Sequence, residues 1–407
     1  MGSELFTGLG VAALLAIILV VTLTRPGRRR DTVHLYTEGL DHLLRGNLKD
    51  AYKCFKGVIE RDTDNISAYL KMGQTLREAQ ALDKALQVHE NLLARLELSG
   101  YDRLDLYMNL ALDYSALGNG EKAVKWAKAI LKLEKRNLWA MLHLVKSYRD
   151  LGDWAACGKY LGQWQKAKGV EDTRLLALCR FRQGYDIRRT TDVEVVREHY
   201  RQALKIDSSF APAHYYLAES YAEEARARRA EISANGSGER KANADAAASW
   251  DQACADNYTQ AVAHWTSFVE VSPQDTYRIL PALEEALFYL QRFDDLELFL
   301  KQVLEKESQN RDVVASLANF FVRKGELDQA EEALSKLPQS SQPGALLQAI
   351  QLKLRYRRNR QDNLMPDLDR LVDSIQMSAS GRTEPAPAAA SLLGWLEPSG
   401  DPLETLA

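Results

Sequence analysis

The most constraining feature of this sequence is a spacing. Gly39 and Gly73 lie 34 residues apart, as do Ala51 and Ala85, and Ala123 and Cys157. An α-helix repeats every 3.6 residues, so a recurrence of small side chains at 34 marks a whole supersecondary unit used again and again. Small residues at fixed places in such a unit let two antiparallel helices approach closely, while the large residues between them fill the seam. Composition agrees. The chain has 11 prolines in 407 residues, about half the usual share, which favours long helices with few irregular connections. At 46% hydrophobic and 27% charged it is a chain that folds, not a disordered or collagen-like one.

A 34-residue period with a small residue near position 8 and an alanine near position 20 is that of the tetratricopeptide repeat. In the third unit Tyr107, Leu110, Ala111, Tyr114, Gly118, Ala123 and Ala127 fall at the positions that define it. Units start near residues 32, 66, 104, 138, 177, 211, 276 and 311, with a degenerate ninth from about 345. The sixth is interrupted: Ala218 and Ala261 are 43 residues apart instead of the usual 12. The additional segment, near 226–256, is rich in Ala, Arg and Glu and broken at Asn235 to Gly238, which reads as a helical hairpin. The expected fold is therefore all-α, a tetratricopeptide-repeat superhelical solenoid over 32–378. The remainder, 379–407, is Pro- and Ala-rich and reads as a flexible tail. Its Leu392, Leu393, Trp395 and Leu396 are either a short docking motif or an incidental apolar cluster.

Ahead of the repeats, Leu5 to Leu23 is uncharged over 19 residues, close to the length a helix needs to cross a bilayer. A cleaved signal peptide would carry a positive n-region and a small-residue cleavage site; here Glu4 precedes the run. Residues 1–24 are thus expected to be one N-terminal transmembrane helix and 25–31 a basic juxtamembrane segment. Arg25, Arg28, Arg29 and Arg30 follow the span, so the positive-inside rule places the repeats in the cytoplasm of a single-pass membrane protein. Gly8, Ala12 and Ala16 recur every fourth residue, a stripe that would let a second copy pack against the helix and form a homo-oligomer. Membrane helices are also simply rich in small residues.

A formal net charge of −3 supplies no global positive field, and no nucleic-acid partner is expected. Cys54, Cys157, Cys179 and Cys254 never form a CxxC pair; together with the scattered histidines, they give no metal-ligand spacing, so no metal and no cofactor are expected. Serine-hydrolase, zincin and P-loop motifs are absent, no catalytic residue is nominated, and the chain is expected not to be an enzyme. His89, His143 and His264 read as packing or surface residues. A helical solenoid offers instead a concave face lined by the first helix of each pair. In the usual phasing that face carries Gln74, Arg77, Lys146, Arg149, Arg188, Arg189, Asn319 and Arg323, whose donors could grip the carboxylates or backbone of an extended peptide. Lys353, Arg355, Arg357, Arg358 and Arg360 read as a solvated helix face.

The N-terminal span, its basic stop and a first pair of repeats containing Tyr36, Gly39, Leu43, Leu44, Ala51, Phe55, Asp62, Gly73, Arg77, Asp83, Ala85 and His89 together resemble the lipopolysaccharide assembly protein B family. Residues 280–305 resemble its seventh repeat, and the likeness covers roughly 5–340. The resemblance implies a bacterial inner-membrane adaptor that presents a client, the lipid A deacetylase, to a membrane AAA protease and so regulates lipopolysaccharide synthesis. That family ends in a rubredoxin-like module with two CxxC pairs, whereas here no cysteine follows Cys254. The other reading is a scaffold that assembles an envelope-biogenesis complex without controlling proteolysis.

Overall fold

The computed structural model describes residues 31–94, 98–234, 244–337, 345–359 and 371. Every regular element among them is helical. The expected anchor, with Gly8, Ala12, Ala16 and Arg25 to Arg30, lies outside the described residues, as does the tail 379–407. Among the described residues no helix is long and apolar enough to cross a membrane.

The chain divides into two units at residue 171. The first contains α1 (31–44), α2 (Leu48–Arg61), α3 (Ile66–Glu78), α4 (Leu82–Leu93), α5 (Gly100–Ala116), α6 (Gly120–Leu133), α7 (Leu138–Asp150) and α8 (Trp154–Lys168). They pair in sequence order, and the residues that set the period sit where paired helices cross. Ala51, Ala85, Ala123 and Cys157 are all fully buried. On the facing helix, a Cβ added at Gly39 would stand 2.9 Å from the Phe55 ring, and one at Gly73 would run into the His89 ring. Neither position has room for a side chain, which is why glycine marks the repeat.

Local signals start and stop these helices. Side chains of Asn65, Asn119, Asn137 and Asp153 accept the backbone N–H three residues on, satisfying donors that a helix start leaves open. Within pairs the turn passes through the left-handed region, at Gly46, Gly118, Gly152 and, in the second unit, Gly325. A backbone bond then closes the turn, as from Asn119 N to Tyr114 O at 2.8 Å. The second and seventh repeats make the same turn with Gln80 and Gln291, both at φ 58°. Such a φ costs a side-chain-bearing residue about 1–2 kcal/mol, partly offset by the unfolded-state entropy that glycine brings. Gln80→Gly and Gln291→Gly are each expected to stabilise their unit by about 0.5–1 kcal/mol, read as a rise in the denaturation midpoint.

The second unit contains α9 (Thr173–Ile187), α10 (Val193–Ile206), α11 (Ala211–Ala234), α12 (Ala244–Val271), a 3-10 turn (Pro273–Arg278), α13 (Leu280–Tyr289), α14 (Phe293–Lys306), α15 (Arg311–Lys324), α16 (Leu327–Ser335) and α17 (Ala345–Arg358). Its core joins Trp265, Phe268 and Tyr258 to Leu283, Leu300 and Phe321. The insertion takes the form of longer helices: α11 runs 24 residues and α12 runs 28. It is also tied down. Arg226 Nε and Arg229 Nη1 reach the Glu285 carboxylate of α13 at 2.9 and 3.1 Å, Tyr289 donates to Asp251 at 2.5 Å, and Cys254 is fully buried. The base of the hairpin is part of the core. The seventh repeat, expected to open near 276, spends its first residues in the 3-10 turn, because Pro281 favours the first turn of a helix and α13 begins beside it.

Candidate protein-binding groove

First helices of the pairs present one face apiece, and in the second unit three of those faces enclose a cleft. Leu280, Pro281 and Glu284 of α13, Asp312, Ser316 and Asn319 of α15, and Leu346 and Ile350 of α17 line it, with Tyr277 at its edge. Its volume is about 280 Å³. The period places these residues: Glu284, Asn319 and Lys353 recur at 35 and 34, so stacking the repeats brings them side by side. Lys353 Nζ donates to Asn319 Oδ1 at 2.8 Å. That bond orients the amide and leaves its Nδ2 donors for a partner.

The charges here are shaped by burial and by one another. Burial raises the Glu284 carboxyl, opposed by a hydrogen bond from Ser316 and by Arg323 and Lys353. Burial also lowers the Lys353 ammonium, helped by Arg323 and Arg357 and opposed by Glu284. Cations thus gather toward the C-terminal ends of α15 and α17, while Asp312 stands near the N-terminal end of α15. Between them lies the apolar floor. A cleft of this kind offers a side-chain amide to a peptide backbone, an apolar seat for one side chain, and the Glu284 and Asp312 carboxyls as acceptors.

Among the residues expected to line the groove, Asn319 and Arg323 are therefore near one another, Arg323 exposed and its guanidinium 5.4 Å from the Phe288 ring centre. Lys353, read from sequence as part of a solvated face, is half-buried and reaches Asn319 instead. Arg358, from the same run, pairs with Asp328 and Glu331 at 2.5 and 2.8 Å. Arg360 is outside the described residues. Arg188 packs its guanidinium 3.5 Å from the Tyr185 ring centre and donates to the Tyr185 carbonyl at 2.5 Å, at the end of α9. Arg189 follows it, exposed.

In the first unit the expected residues have other commitments. Gln74 bridges Lys71 and Glu78 along α3, both at 2.9 Å. Arg149 bonds Asp150 through two nitrogens at 2.9 and 2.7 Å. Lys146 is half-buried beside His143, whose ring stacks on Trp139 at 4.8 Å and meets Ser115 Oγ at 3.2 Å. Arg77 turns sideways: its Nη1 reaches Asp113 at 2.6 Å and its Nη2 reaches the Asn109 side chain at 3.2 Å. Asp113 is fully buried and also pairs with His89, whose other ring nitrogen faces the Leu70 carbonyl at 3.2 Å. This network joins α3, α4 and α5. No local motif marks it, because it connects residues 24 and 36 apart, and only the recurrence of the repeat could point to it.

Comparison with known proteins agrees with the repeats. The tetratricopeptide repeat family is matched over residues 287–354. Curated relatives include lipopolysaccharide assembly protein B of Escherichia coli (strain K12) and of Escherichia coli O157:H7, each 25% identical over 152 residues. The match takes in 37% of this chain and 36% of the relative, so the chain spans about a third of the length of the curated relatives it matches. Among solved structures, MamA protein is 15% identical with a TM-score of 0.34, covering 45% of this chain and 94% of its own. YrrB, described as a TPR protein with an unusual peptide-binding site, is 14% identical with a TM-score of 0.34, covering 46% of this chain and 92% of its own. A thermophilic TPR protein of Thermus thermophilus is 20% identical with a TM-score of 0.30, covering 44% of this chain and 92% of its own.

Proposed function

We propose that this tetratricopeptide-repeat chain is a membrane-anchored adaptor of the bacterial inner membrane whose repeats face the cytoplasm and bind an extended protein segment. The observation that carries the reading is the cleft on α13, α15 and α17, where Asn319, held by Lys353, stands beside an apolar floor. A helical-repeat fold supports a protein-interaction role, as adaptor or scaffold. The uncharged run from Leu5 to Leu23 and the arginines after it support the anchor and the topology. A tether at the membrane raises the local concentration of a bound segment beside membrane partners, so the adaptor can act without tight binding.

The similarity to lipopolysaccharide assembly protein B supports an envelope setting. In it the client is the lipid A deacetylase and the partner a membrane AAA protease. The decisive measurement is the half-life of the deacetylase in cells with and without this protein. The adaptor reading expects a longer half-life on depletion, restored by the wild-type chain and not by one lacking residues 1–30. An unchanged half-life with impaired envelope assembly rejects it in favour of a scaffold. Within the cleft, Asn319→Ala and Lys353→Ala are each expected to weaken client binding roughly tenfold, since each removes about one well-placed hydrogen bond or charge contact. Melting midpoints should stay near wild type. Binding unchanged in the double variant would remove this cleft as the site.

A further inference from the structure

The first repeat brings three metal-binding side chains together. Glu38 and His42 lie one turn apart on α1 and so share a face, and Cys54 projects toward them from α2. A carboxylate oxygen of Glu38, a ring nitrogen of His42 and Cys54 Sγ all fall within 4.8 Å of one another. The repeat geometry is responsible: at Gly39, next to Glu38, the two helices approach so closely that an added Cβ would stand 3.1 Å from Cys54 Cβ. The imidazole of His42 is committed on neither edge. Its Nε2 is 4.0 Å from Glu38 Oε1, beyond hydrogen-bond reach, and its Nδ1 is buried without a partner. The ring is thus free to ligate through Nε2, the nitrogen that faces Glu38.

We infer that Glu38, His42 and Cys54 form a binding site for a zinc-like divalent transition metal that staples α1 to α2. Thiolate, imidazole and carboxylate on one centre are the donors of zinc, not of magnesium or calcium, which take oxygen alone. Zinc bonds of about 2.0–2.3 Å hold tetrahedral ligand atoms roughly 3.3–3.8 Å apart, so the three groups close in by about 1 Å on binding. Exposed Glu38 and half-buried His42 and Cys54 have the freedom to do so. Binding releases the thiol proton to solvent, leaving a thiolate on the metal. The fourth position is water or His34, the next turn of the same face, whose Nδ1 stands 3.9 Å from Glu38 Oε2. The spacing of cysteines and histidines gave no sign of this site, because its ligands come as an i, i+4 pair on one helix and a single cysteine on the next. The benefit falls on the first repeat, which has a neighbour on one side only among the described helices, where a solenoid most needs help.

Cobalt(II) titration of the full-length chain, purified in detergent, stripped with chelator and kept reduced, tests the inference. The expected result is one equivalent bound per chain with a thiolate-to-cobalt charge-transfer band and tetrahedral d–d absorption, both displaced by zinc. Cys54→Ser should abolish the charge-transfer band, and Cys54→Ser and His42→Ala should each weaken binding roughly 10–100-fold. Circular dichroism of the metal-free variants checks that they remain folded, and Cys157→Ser, at a buried cysteine elsewhere in the first unit, should leave the spectrum unchanged. Absence of saturable binding overturns the site. So does a charge-transfer band that survives Cys54→Ser, or binding lost in His214→Ala but not in His42→Ala.

Discussion

Replacing Asp113 with alanine is expected to destabilise the first unit by about 3–5 kcal/mol, the range seen when one partner of a buried ion pair is removed. Asp113 is fully buried, and two cationic or proton-donating groups converge on it: Arg77 at 2.6 Å, itself only 15% exposed, and His89, fully buried. The two ring nitrogens of His89 face the Asp113 carboxylate and the Leu70 carbonyl. Without the carboxylate, the Arg77 guanidinium is left largely desolvated with no counter-charge and a buried edge of the His89 ring loses its partner. The neighbourhood cannot relax to let water in, since Gly73 already lies against the His89 ring. Asp113→Asn, which keeps an acceptor and loses the charge, should fall between wild type and alanine. Urea denaturation followed by circular dichroism measures this, and an Arg77→Ala/Asp113→Ala double-mutant cycle isolates the pair. A loss below about 1 kcal/mol for Asp113→Ala would mean that the network contributes geometry and little energy. Arg77 is committed to this network. Arg77→Ala should reduce stability far more than partner binding, the reverse of the effect expected of a groove residue.

That reversal shows what a repeat sequence reveals and what it hides. The period was legible because the crossing points of paired helices tolerate only small side chains, so Gly39, Gly73, Ala51, Ala85 and Ala123 recur under a steric constraint that nothing else in the unit shares. Which residues belong to the first helix of a pair followed from the same phase, and Asn319 does stand in the cleft. The direction of a long side chain did not follow. Arg77 and Arg323 both sit on the inner face of a first helix, yet Arg77 finds a buried acid on the next first helix and Arg323 finds none. Phase gives the face; the neighbouring repeat decides whether the charge is used inside it. Lys353 illustrates the converse, a member of a basic run that reads as solvated and is held half-buried against Asn319. The insertion was legible as helix from its Ala, Arg and Glu content, but its anchorage on Glu285 was not, since that pairing spans 56 and 59 residues.

Acidification should weaken the fold between about pH 6.5 and pH 4, and two histidines account for a large share. Burial drives His143 down to about 4, with Lys146 adding to it and a backbone bond at Ala111 and the charge of Asp150 opposing it. Burial likewise drives His264 down to about 4, assisted by His214 and Arg201. His214 Nε2 lies 3.0 Å from the Ser208 carbonyl and must donate to it, so its Nδ1 accepts from His264 at 3.2 Å. That chain of bonds requires His214 to be neutral, and burial disfavours the charge on His264. In the unfolded chain each ring takes up its proton near 6.5. Below that pH the unfolded state therefore binds more protons than the native state, stability rises with pH across the window, and the deficit is complete once both states are protonated, below about 4. A shift of about 2.5 pK units corresponds to roughly 3 kcal/mol per ring. Both rings are half-buried, so screening reduces this to about 2 kcal/mol each. Carboxylates titrate in the lower part of the same range, so the variants make the assignment. His143→Asn and His264→Phe, singly and together, should flatten the dependence of the denaturation midpoint on pH between 6.5 and 4.5 without changing it below 4. If the double variant loses stability over that interval as steeply as the wild type, the histidines are not the groups that set the acid limit of this fold.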